Sequence, residues 1–388
     1  MASVAPLSSA KSAGRPFEVL IVDDSAVIRG MIRRWLETDP SISVVGSAAN
    51  GEVAVREAKR LRPDVILLDI EMPVMDGLTA LPLLKKALPK SHVVMASTLT
   101  TRNADISLQA MRLGASDYIP KPESRTELSG GETFKNAVVA KVIALGTAKR
   151  QRDGQPLPSG EGRAGEITER VMGDVTAKPA DKPAKVVSAA PRRTPGLSPQ
   201  VLAIGSSTGG PQALFKFFEG LEGKLNLPVL ITQHMPETFT AILASHLAKL
   251  CGGKCKEAKH GELLRSGHVY VAPGGKHMVV AGRPGNATIE LNDEPEENFC
   301  RPAVDPLYRA VARTFGGRAL ALVFTGMGAD GCKGAQDIRD AGGQVFVQDE
   351  ATSTVWGMPG AIAKAGLADK ILPLDQMADA VLRSCGRA

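Results

Sequence analysis

The chain has 388 residues, of which 43% are hydrophobic and 23% charged, and its formal net charge is +6. This length predicts two or three domains, and the composition is that of a soluble globular protein, which excludes collagen, a coiled-coil rod and global disorder. The longest uninterrupted apolar run, Ala319 to Phe324, is far shorter than the roughly 20 residues of a membrane-spanning helix. Residues 1–16 lack the apolar core of a signal peptide, so we expect a flexible tail there and a cytoplasmic protein that is not membrane-inserted.

The basic excess lies almost wholly in residues 137–200, which contain eleven basic and six acidic side chains. The same segment is rich in proline, and no aromatic residue occurs between Phe134 and Phe215. Such a composition predicts a linker, and a positive charge confined to a linker argues against nucleic-acid binding. The predicted organisation is a tail over 1–16, a first domain over 17–136, a linker over 137–200 and a second domain over 201–388.

The first domain alternates short apolar runs with helical patterns. The apolar runs read FEVLIV, ISVVGSA, DVILLD, HVVMAS and ASDYIP, with amphipathic stretches between them. Five units of this kind predict a parallel, doubly wound α/β sheet. In such sheets the ligand site lies beyond the carboxyl ends of the strands.

Polar residues follow the predicted strands at that edge. Asp23 and Asp24 end the first strand, Asp69 the third and Ser97 the fourth, while Lys121 follows the last. Taken singly, Asp24 could cap the next helix and Lys121 could be a solvated charge. Together, three carboxylates, a hydroxyl and an ammonium at one edge suit Mg²⁺ and a phosphoryl group on a carboxylate.

This domain resembles a response-regulator receiver domain, because VDDS stands at 22–25 and LLDIEMPVMDGL at 67–78, with Ser97 and Lys121 in the expected places. The resemblance implies a flavodoxin-like (βα)5 fold and phosphorylation by a histidine kinase. The roles that it implies are Mg²⁺ binding by Asp23, Asp24 and Asp69, phosphorylation of Asp69, binding of the phosphoryl oxygens by Ser97 and Lys121, and reorientation of Tyr118 on activation.

The second domain also alternates strands with helices. VLAIGSS, PVLITQ, ALALVFTG and GQVFVQD are the predicted strands, and KHMVVA and ATIEL predict a β-hairpin around Gly285 and Asn286. We therefore expect a second doubly wound α/β domain that carries a hairpin.

The first of these strands runs into the sequence GSSTGG at 205–210, which opens a helix. One interpretation is a phosphate-binding loop, although neither G-x-G-x-x-G nor the Walker pattern is satisfied. The other is a nucleophile turn, because Gly205, Ser207 and Gly209 satisfy G-x-S-x-G and the following helix offers N–H groups to an oxyanion. The motif alone does not decide between a structural turn and a catalytic one.

Two further strand ends favour catalysis. PVLITQ runs into His234, and ALALVFTG runs into the segment that contains Asp330. Because the carboxyl ends of parallel strands share one edge, Ser207, His234 and Asp330 are expected to lie together as nucleophile, base and acid. The chain order Ser, His, Asp differs from that of α/β-hydrolases, so that fold is not implied.

This domain resembles the catalytic domain of the chemotaxis protein-glutamate methylesterases over nearly all of 201–388. The motifs are GSSTGGP, ITQHMP, HVYVAPGGKHM, RPAVDPL, TGMGADG and VWGMPGAIA, in that order. The resemblance implies hydrolysis of glutamate methyl esters on the cytoplasmic helices of chemoreceptors, often together with deamidation of receptor glutamines. It implies catalysis by Ser207, His234 and Asp330, an oxyanion role for the Met327 N–H, orientation of His234 by Thr208, and no cofactor for this reaction.

Two other functions remain as alternatives, a transcriptional regulator and a signalling module that only binds partners. A transcriptional regulator would need a DNA-binding output domain, but the second domain has no net charge and no helix-turn-helix pattern. A binding-only signalling module would be favoured by a missing triad residue, and all three residues are present. We expect a monomer in which the receiver covers the esterase site until phosphorylation weakens that contact.

Overall fold

The structure is a computed structural model that describes residues 14–98, 100–121, 132–158, 197–221 and 223–386. The elements of the first domain are β1 (Phe17–Val22), α1 (Ala26–Leu36), β2 (Ile42–Ala48), α2 (Gly51–Leu61), β3 (Val65–Asp69), α3 (Gly77–Ala87), β4 (His92–Ser97), α4 (Thr101–Arg112), β5 (Asp117–Pro120) and α5 (Glu132–Arg152). All five strands pair in parallel in the order β2-β1-β3-β4-β5. This is the flavodoxin-like order, as the resemblance implied.

Helix α5 differs from the sequence prediction, which began the linker at residue 137. The helix continues to Arg152, and its side chains Val138, Val139, Val142 and Ile143 are buried against the receiver sheet. Aliphatic residues at helical spacing form the buried face of α5, and no aromatic residue is needed. The absence of aromatic residues was therefore a misleading sign of a linker here. The predicted linker residues 159–196 and tail residues 1–13 lie outside the described ranges.

The two ends of the receiver are held together at the amino-terminal edge of its sheet. The Gly14 N–H donates to the Leu157 carbonyl at 3.0 Å. The Arg150 guanidinium is 5% exposed and donates to the Pro16 carbonyl at 2.6 Å and to Asp64 at 2.8 Å. The chain thus leaves the receiver at the edge opposite to Asp69.

The second domain contains more regular structure than the sequence predicted. Its elements are β6 (Val201–Ser206), α6 (Gly210–Leu221), β7 (Val229–Gln233), α7 (Glu237–Leu250), β8 (Cys255–Glu257), β9 (Val269–Val271), β10 (His277–Ala281), β11 (Thr288–Asn292), α8 (Val304–Phe315), a 3₁₀ turn (Gly316–Arg318), β12 (Ala319–Val323), α9 (Cys332–Asp340), β13 (Gln344–Gln348), α10 (Met358–Lys364), β14 (Lys370–Leu372) and α11 (Leu374–Ser384). Seven strands form one parallel sheet in the order β14-β13-β12-β6-β7-β9-β8, while β10 and β11 form the predicted antiparallel hairpin. The doubly wound fold class is confirmed.

The order in which strands are added to this sheet reverses at β6: the chain first adds strands on one side of β6 and later adds strands on the other side. Strand β6 pairs with β7 on one side and with β12 on the other. The carboxyl ends of these three strands therefore surround the topological switch point, where open α/β sheets bind their ligands.

The receiver packs directly on the second domain. Tyr118 of β5 stacks on Phe239 of α7, with ring centroids 4.1 Å apart and planes 13° apart. Gln212 of α6 donates its side-chain amide to the carbonyls of Met111, at 2.9 Å, and Ala115. Buried apolar side chains of both domains join in one continuous cluster.

Polar and charged side chains lie at the edge of this interface. Asp105 of α4 accepts a hydrogen bond from His246 of α7 at 2.7 Å. Arg112 lies 3.5 Å from Glu219 and stacks over the Phe215 ring at 5.4 Å. The contact thus combines an apolar centre with a charged rim, as protein interfaces commonly do.

Among the described residues, no helix combines the length and the apolar character that crossing a membrane requires.

Candidate active site and phosphorylation site

The switch point of the second domain positions the three predicted catalytic residues. Ser207 follows β6, His234 follows β7 and Asp330 follows the loop after β12. The Ser207 N–H donates to the Thr325 carbonyl at 3.1 Å, and the His234 N–H donates to the Ser206 carbonyl at 3.1 Å. Backbone hydrogen bonds between neighbouring strand ends therefore fix the nucleophile turn and the histidine relative to each other.

Glycines make the nucleophile turn possible. Gly209 has φ +77°, and a Cβ there would lie 2.3 Å from Thr354 Oγ1. A Cβ on Gly326, three residues after the end of β12, would lie 2.9 Å from the Ser207 Cβ. The backbone before Met327 thus approaches Ser207 as closely as only glycine permits.

His234 and Asp330 form a hydrogen-bonded pair. The His234 Nε2 lies 2.7 Å from Asp330 Oδ2, and the two side chains are 13% and 2% exposed. An acid held against a histidine in this way fixes the orientation of the ring and stabilises its protonated form.

The Asp330 carboxylate is strongly supported by other donors. The backbone N–H groups of Val304 and Asp305, at the start of α8, donate to it at 2.6 and 3.1 Å. The Gly331 N–H and the Asn298 side-chain amide donate to Oδ1 at 2.9 and 2.8 Å. Burial favours the neutral acid, but these bonds and His234 outweigh burial and lower the pKa of Asp330. The group therefore stays ionised although it is buried.

The surroundings of His234 also change its pKa. Burial by itself lowers the pKa of His234, but its contacts with Cys300 and Asp330 outweigh burial and raise that pKa well above 6.5. A histidine with a raised pKa is a stronger base once it is deprotonated.

The second nitrogen of the ring faces Cys300. The Cys300 Sγ lies 3.4 Å from His234 Nδ1. Within the described residues, no hydrogen bond joins the Ser207 hydroxyl to His234. The structure thus brings the three residues to one edge, but only His234 and Asp330 are bonded to each other. For proton transfer, the ring must exchange a present partner for Ser207.

Thr208 and Met327, which the resemblance implied as supporting residues of the catalytic site, both contact the receiver domain. The resemblance implied that Thr208 orients His234, but in this structure the buried Thr208 hydroxyl donates to Asp117 of the receiver at 2.8 Å. Met327 and Val355 pack at the edge of the receiver's apolar cluster that includes α5. The receiver therefore holds the residue next to Ser207 and lies against the loop that carries the predicted oxyanion donor.

The predicted phosphorylation site is also assembled. Oxygen atoms of Asp23, Asp24 and Asp69 all lie within 4.8 Å of one another. Lys121 Nζ lies 2.6 Å from Asp23 and 2.7 Å from Asp69. Burial raises the pKa of Asp69, an effect that Lys121 opposes and the Asp23 charge reinforces. The three carboxylates fit Mg²⁺, which prefers hard oxygen ligands.

The remaining receiver residues surround the same site. Ser97 is 2% exposed and bonded to Ser107 Oγ at 3.0 Å. A cavity of about 340 Å³ is lined by Asp24, Asp69, Ser97 and Lys121 among others. Tyr118 lies elsewhere, in the interface with the second domain.

Sequence reasoning missed three residues that contact His234 or Asp330 in the candidate site: Asn298, Cys300 and Asp305. Asn298 bridges Asp305 and Asp330 at 2.9 and 2.8 Å. Burial and the charge of Asp330 raise the pKa of Asp305 to about 6. The motif RPAVDPL contains Asp305, but nothing in the local sequence shows that its helix points at Asp330.

The chain matches two families: residues 19–130 match the response regulator receiver domain and residues 202–381 match CheB methylesterase. A protein-glutamate methylesterase/protein-glutamine glutaminase of group 2 operon from Rhodospirillum centenum is 52% identical over 96% of this chain and 95% of its own length. The protein-glutamate methylesterase/protein-glutamine glutaminase 1 of Rhodospirillum rubrum is 49% identical over 96% of each chain.

Among solved structures, the catalytic domain of the Thermotoga maritima CheB methylesterase is 35% identical, with a TM-score of 0.47, and covers 48% of this chain and 98% of its own. The Rhodospirillum relatives extend over both domains of the chain. The chain therefore belongs to the CheB methylesterase family, with a response-regulator receiver domain ahead of its methylesterase domain.

Proposed function

We propose that this protein is a phosphorylation-activated serine esterase that hydrolyses glutamate 5-methyl esters on chemoreceptors. The observation that carries the proposal is the ionised, multiply bonded Asp330 paired with His234 beside the Ser207 turn. This arrangement supplies a nucleophile, a base and an acid without a cofactor. The names of the two Rhodospirillum relatives support the same activity and add glutaminase activity, which we extend to this chain.

The proposed reaction proceeds through an acyl-enzyme. The Ser207 oxygen attacks the ester carbonyl carbon while its proton passes to His234. The Met327 N–H stabilises the negative oxygen that forms. His234 then returns the proton to the departing methoxide, which leaves as methanol, and Ser207 carries the glutamyl group.

Water completes the cycle by the same steps. Water attacks the acyl-enzyme while His234 takes one of its protons, and His234 then returns that proton to the Ser207 oxygen as the ester bond to Ser207 breaks. The products are a glutamate side chain and a free serine. Asp330 keeps the imidazolium stable in both halves of the reaction.

We propose that the receiver inhibits this reaction in the unphosphorylated protein. Its Asp117 binds Thr208, next to the nucleophile, and its apolar cluster includes Met327 at its edge. A phosphoryl group on Asp69 adds close to two negative charges that Ser97 and Lys121 can bind. Lys121 would then leave its present partners, and the shift at β5 would weaken the Tyr118 contact.

The proposed partners follow from the two domains. A chemotaxis histidine kinase donates the phosphoryl group, and the methylated cytoplasmic helices of chemoreceptors are the substrate. Mg²⁺ bound by Asp23, Asp24 and Asp69 would neutralise charge at the phosphorylation site. We propose that the protein acts in the cytoplasm as a monomer.

One experiment tests substrate and regulation together. The full chain is incubated with a chemoreceptor fragment carrying labelled methyl esters, with and without a small-molecule phosphodonor and Mg²⁺. We expect methanol release in both samples and a higher rate with the phosphodonor. Absence of methanol release under both conditions would overturn the proposed activity, whereas release that the phosphodonor does not accelerate would overturn only the proposed control.

A further inference from the structure

The turn formed by residues 297–300 has an unusual backbone. Glu297 and Cys300 exchange both backbone hydrogen bonds, at 3.2 and 3.1 Å. The central residues Asn298 and Phe299 have φ values of +55° and +60°. Two successive left-handed residues form a hairpin turn that favours Asn-Gly. Asn298 fits that preference, whereas Phe299 is a bulky residue in a conformation that strongly favours glycine.

The 297–300 turn is attached to the catalytic pair on both sides. Asn298 donates to Asp330 at 2.8 Å, and Cys300 Sγ lies 3.4 Å from His234 Nδ1. Glu297 is held by Arg309 at 2.7 Å. The position of Phe299 is therefore fixed relative to the groups that must receive the ester.

Burial does not explain the presence of Phe299. Its side chain is 59% exposed, and it is the only aromatic among the exposed large hydrophobic side chains of the described residues. Strained residues that gain little from packing persist mainly at functional sites. An exposed aromatic ring on a rigid turn is also an effective anchor for a protein partner, because little side-chain entropy is lost on binding.

We propose that Phe299 is a recognition residue that packs against apolar side chains of the receptor helix carrying the methyl ester. The inference rests on the proposed function and deepens it, because it assigns a contact with the protein substrate rather than with the ester group. A glutamyl side chain is short, so a helix whose ester reaches Ser207 must also pass near the groups bonded to His234 and Asp330. Phe299 is 59% exposed in this structure, so the docked receiver does not cover the ring that the helix would contact.

The test uses the full-length protein with phosphodonor and two substrates, a methylated receptor fragment and a short peptide containing a glutamate methyl ester. The variant is Phe299→Gly, because glycine suits the left-handed backbone and should keep or raise the melting temperature. We expect the ratio of kcat/KM for receptor to kcat/KM for peptide to fall about tenfold, mainly through KM for the receptor. Phe299→Trp, which keeps a large aromatic ring, should restore most of that ratio.

Ile371→Ala is the matched control, since Ile371 is a 50% exposed apolar residue on β14, at the far edge of the sheet. It should leave the ratio at the wild-type value. An unchanged ratio in Phe299→Gly, or equal losses on both substrates, would overturn the inference while methanol release by the wild type still supports the proposed function. If the wild type releases no methanol from either substrate, the proposed function fails, and the inference fails with it.

Discussion

At the scale of single residues, the chemistry depends on how the environment of each group sets its charge. Burial opposes the ionisation of Asp330, but its bond to His234 and the backbone N–H groups at the amino terminus of α8 outweigh burial and lower its pKa. Asp305 is also buried, but it lies beside the Asp330 charge and its pKa is raised to about 6. One helix terminus therefore stabilises the ionised carboxylate that pairs with His234, while the neighbouring carboxyl of Asp305 has a raised pKa.

We expect Ser207→Ala to reduce methanol release at least about 10³-fold, because the attacking oxygen is lost. The fold should persist, since this turn is held by backbone hydrogen bonds and by its glycines. The measurement is the rate of methanol release, with circular dichroism as the control for folding. Activity near the wild-type rate would exclude Ser207 as the nucleophile.

The pH dependence should report His234. The residue accepts a proton only when it is neutral, and its pKa is raised well above 6.5 by Asp330 and Cys300 against the effect of burial. We therefore expect kcat/KM on a short ester peptide to rise with pH through a value clearly above 6.5. In Asp330→Asn the rise should occur at lower pH and reach a lower plateau. A wild-type profile that levels off below pH 6.5 would contradict the raised pKa.

Phosphorylation should depend on one carboxylate. Asp69 is bonded to Lys121 and lies beside Asp23, so replacing it with the neutral Asn removes the acceptor and keeps the size. We expect Asp69→Asn to abolish labelling by a phosphodonor in the presence of Mg²⁺, measured by intact-protein mass. Glu71→Gln, on an exposed residue two positions away, serves as the control and should be labelled like the wild type. Full labelling of Asp69→Asn would show that another residue is phosphorylated.

At the scale of elements, parallel strands made the meeting of the three proposed catalytic residues at one edge predictable. Ser207, His234 and Asp330 each follow a strand, and the sheet collects those strand ends at one edge. Asn298 and Cys300 could not be predicted in the same way, because an irregular segment between β11 and α8 carries them and only tertiary packing brings that segment to His234.

Helix α5 could have been predicted from the sequence, but the low aromatic content of its segment favoured the wrong interpretation. Val138, Val139, Val142 and Ile143 have helical spacing, which predicts an apolar face. Low aromatic content and nearby prolines suggested a linker instead. The periodicity of the aliphatic residues was the better guide, because it reports which side of a helix can be buried.

The contact between α6 and the receiver gives a prediction at this scale. Gln212 donates to two carbonyls of the receiver near the end of α4. Gln212→Ala should weaken docking and raise the activity of the unphosphorylated protein about fivefold, as expected for a lost hydrogen bond of about 1 kcal/mol. Activity with phosphodonor should change much less.

Gln336→Ala is the matched control for Gln212→Ala, because Gln336 bonds only locally to Asp340, at 2.7 Å, on an exposed face of α9. Its unphosphorylated activity should equal that of the wild type. If both variants behave alike, the Gln212 contact does not contribute to inhibition.

At the scale of the whole molecule, the proposed inhibition is a balance between a docked and an undocked arrangement of the two domains. A fragment from residue 197 to 388 cannot be covered by the receiver. We expect its kcat/KM on the receptor to exceed that of the unphosphorylated chain by roughly 5- to 150-fold, the usual range of about 1–3 kcal/mol for coupling between sites. Equal values would show that phosphorylation acts by some route other than uncovering the site.

The pairing of Gly14 with Leu157 fixes the point at which the chain leaves the receiver. It places the exit of the chain at the amino-terminal edge of the receiver sheet, one strand length, about 15 Å, from the Asp69 end. In the proposed mechanism phosphorylation acts at one edge and leaves this exit at the other edge in place, so the two domains stay joined in one chain in both states. The proposed switch then acts on the affinity of docking and not on the connection between the domains. Re-inhibition after loss of the phosphoryl group becomes a unimolecular event, with a rate independent of how much enzyme the cell contains.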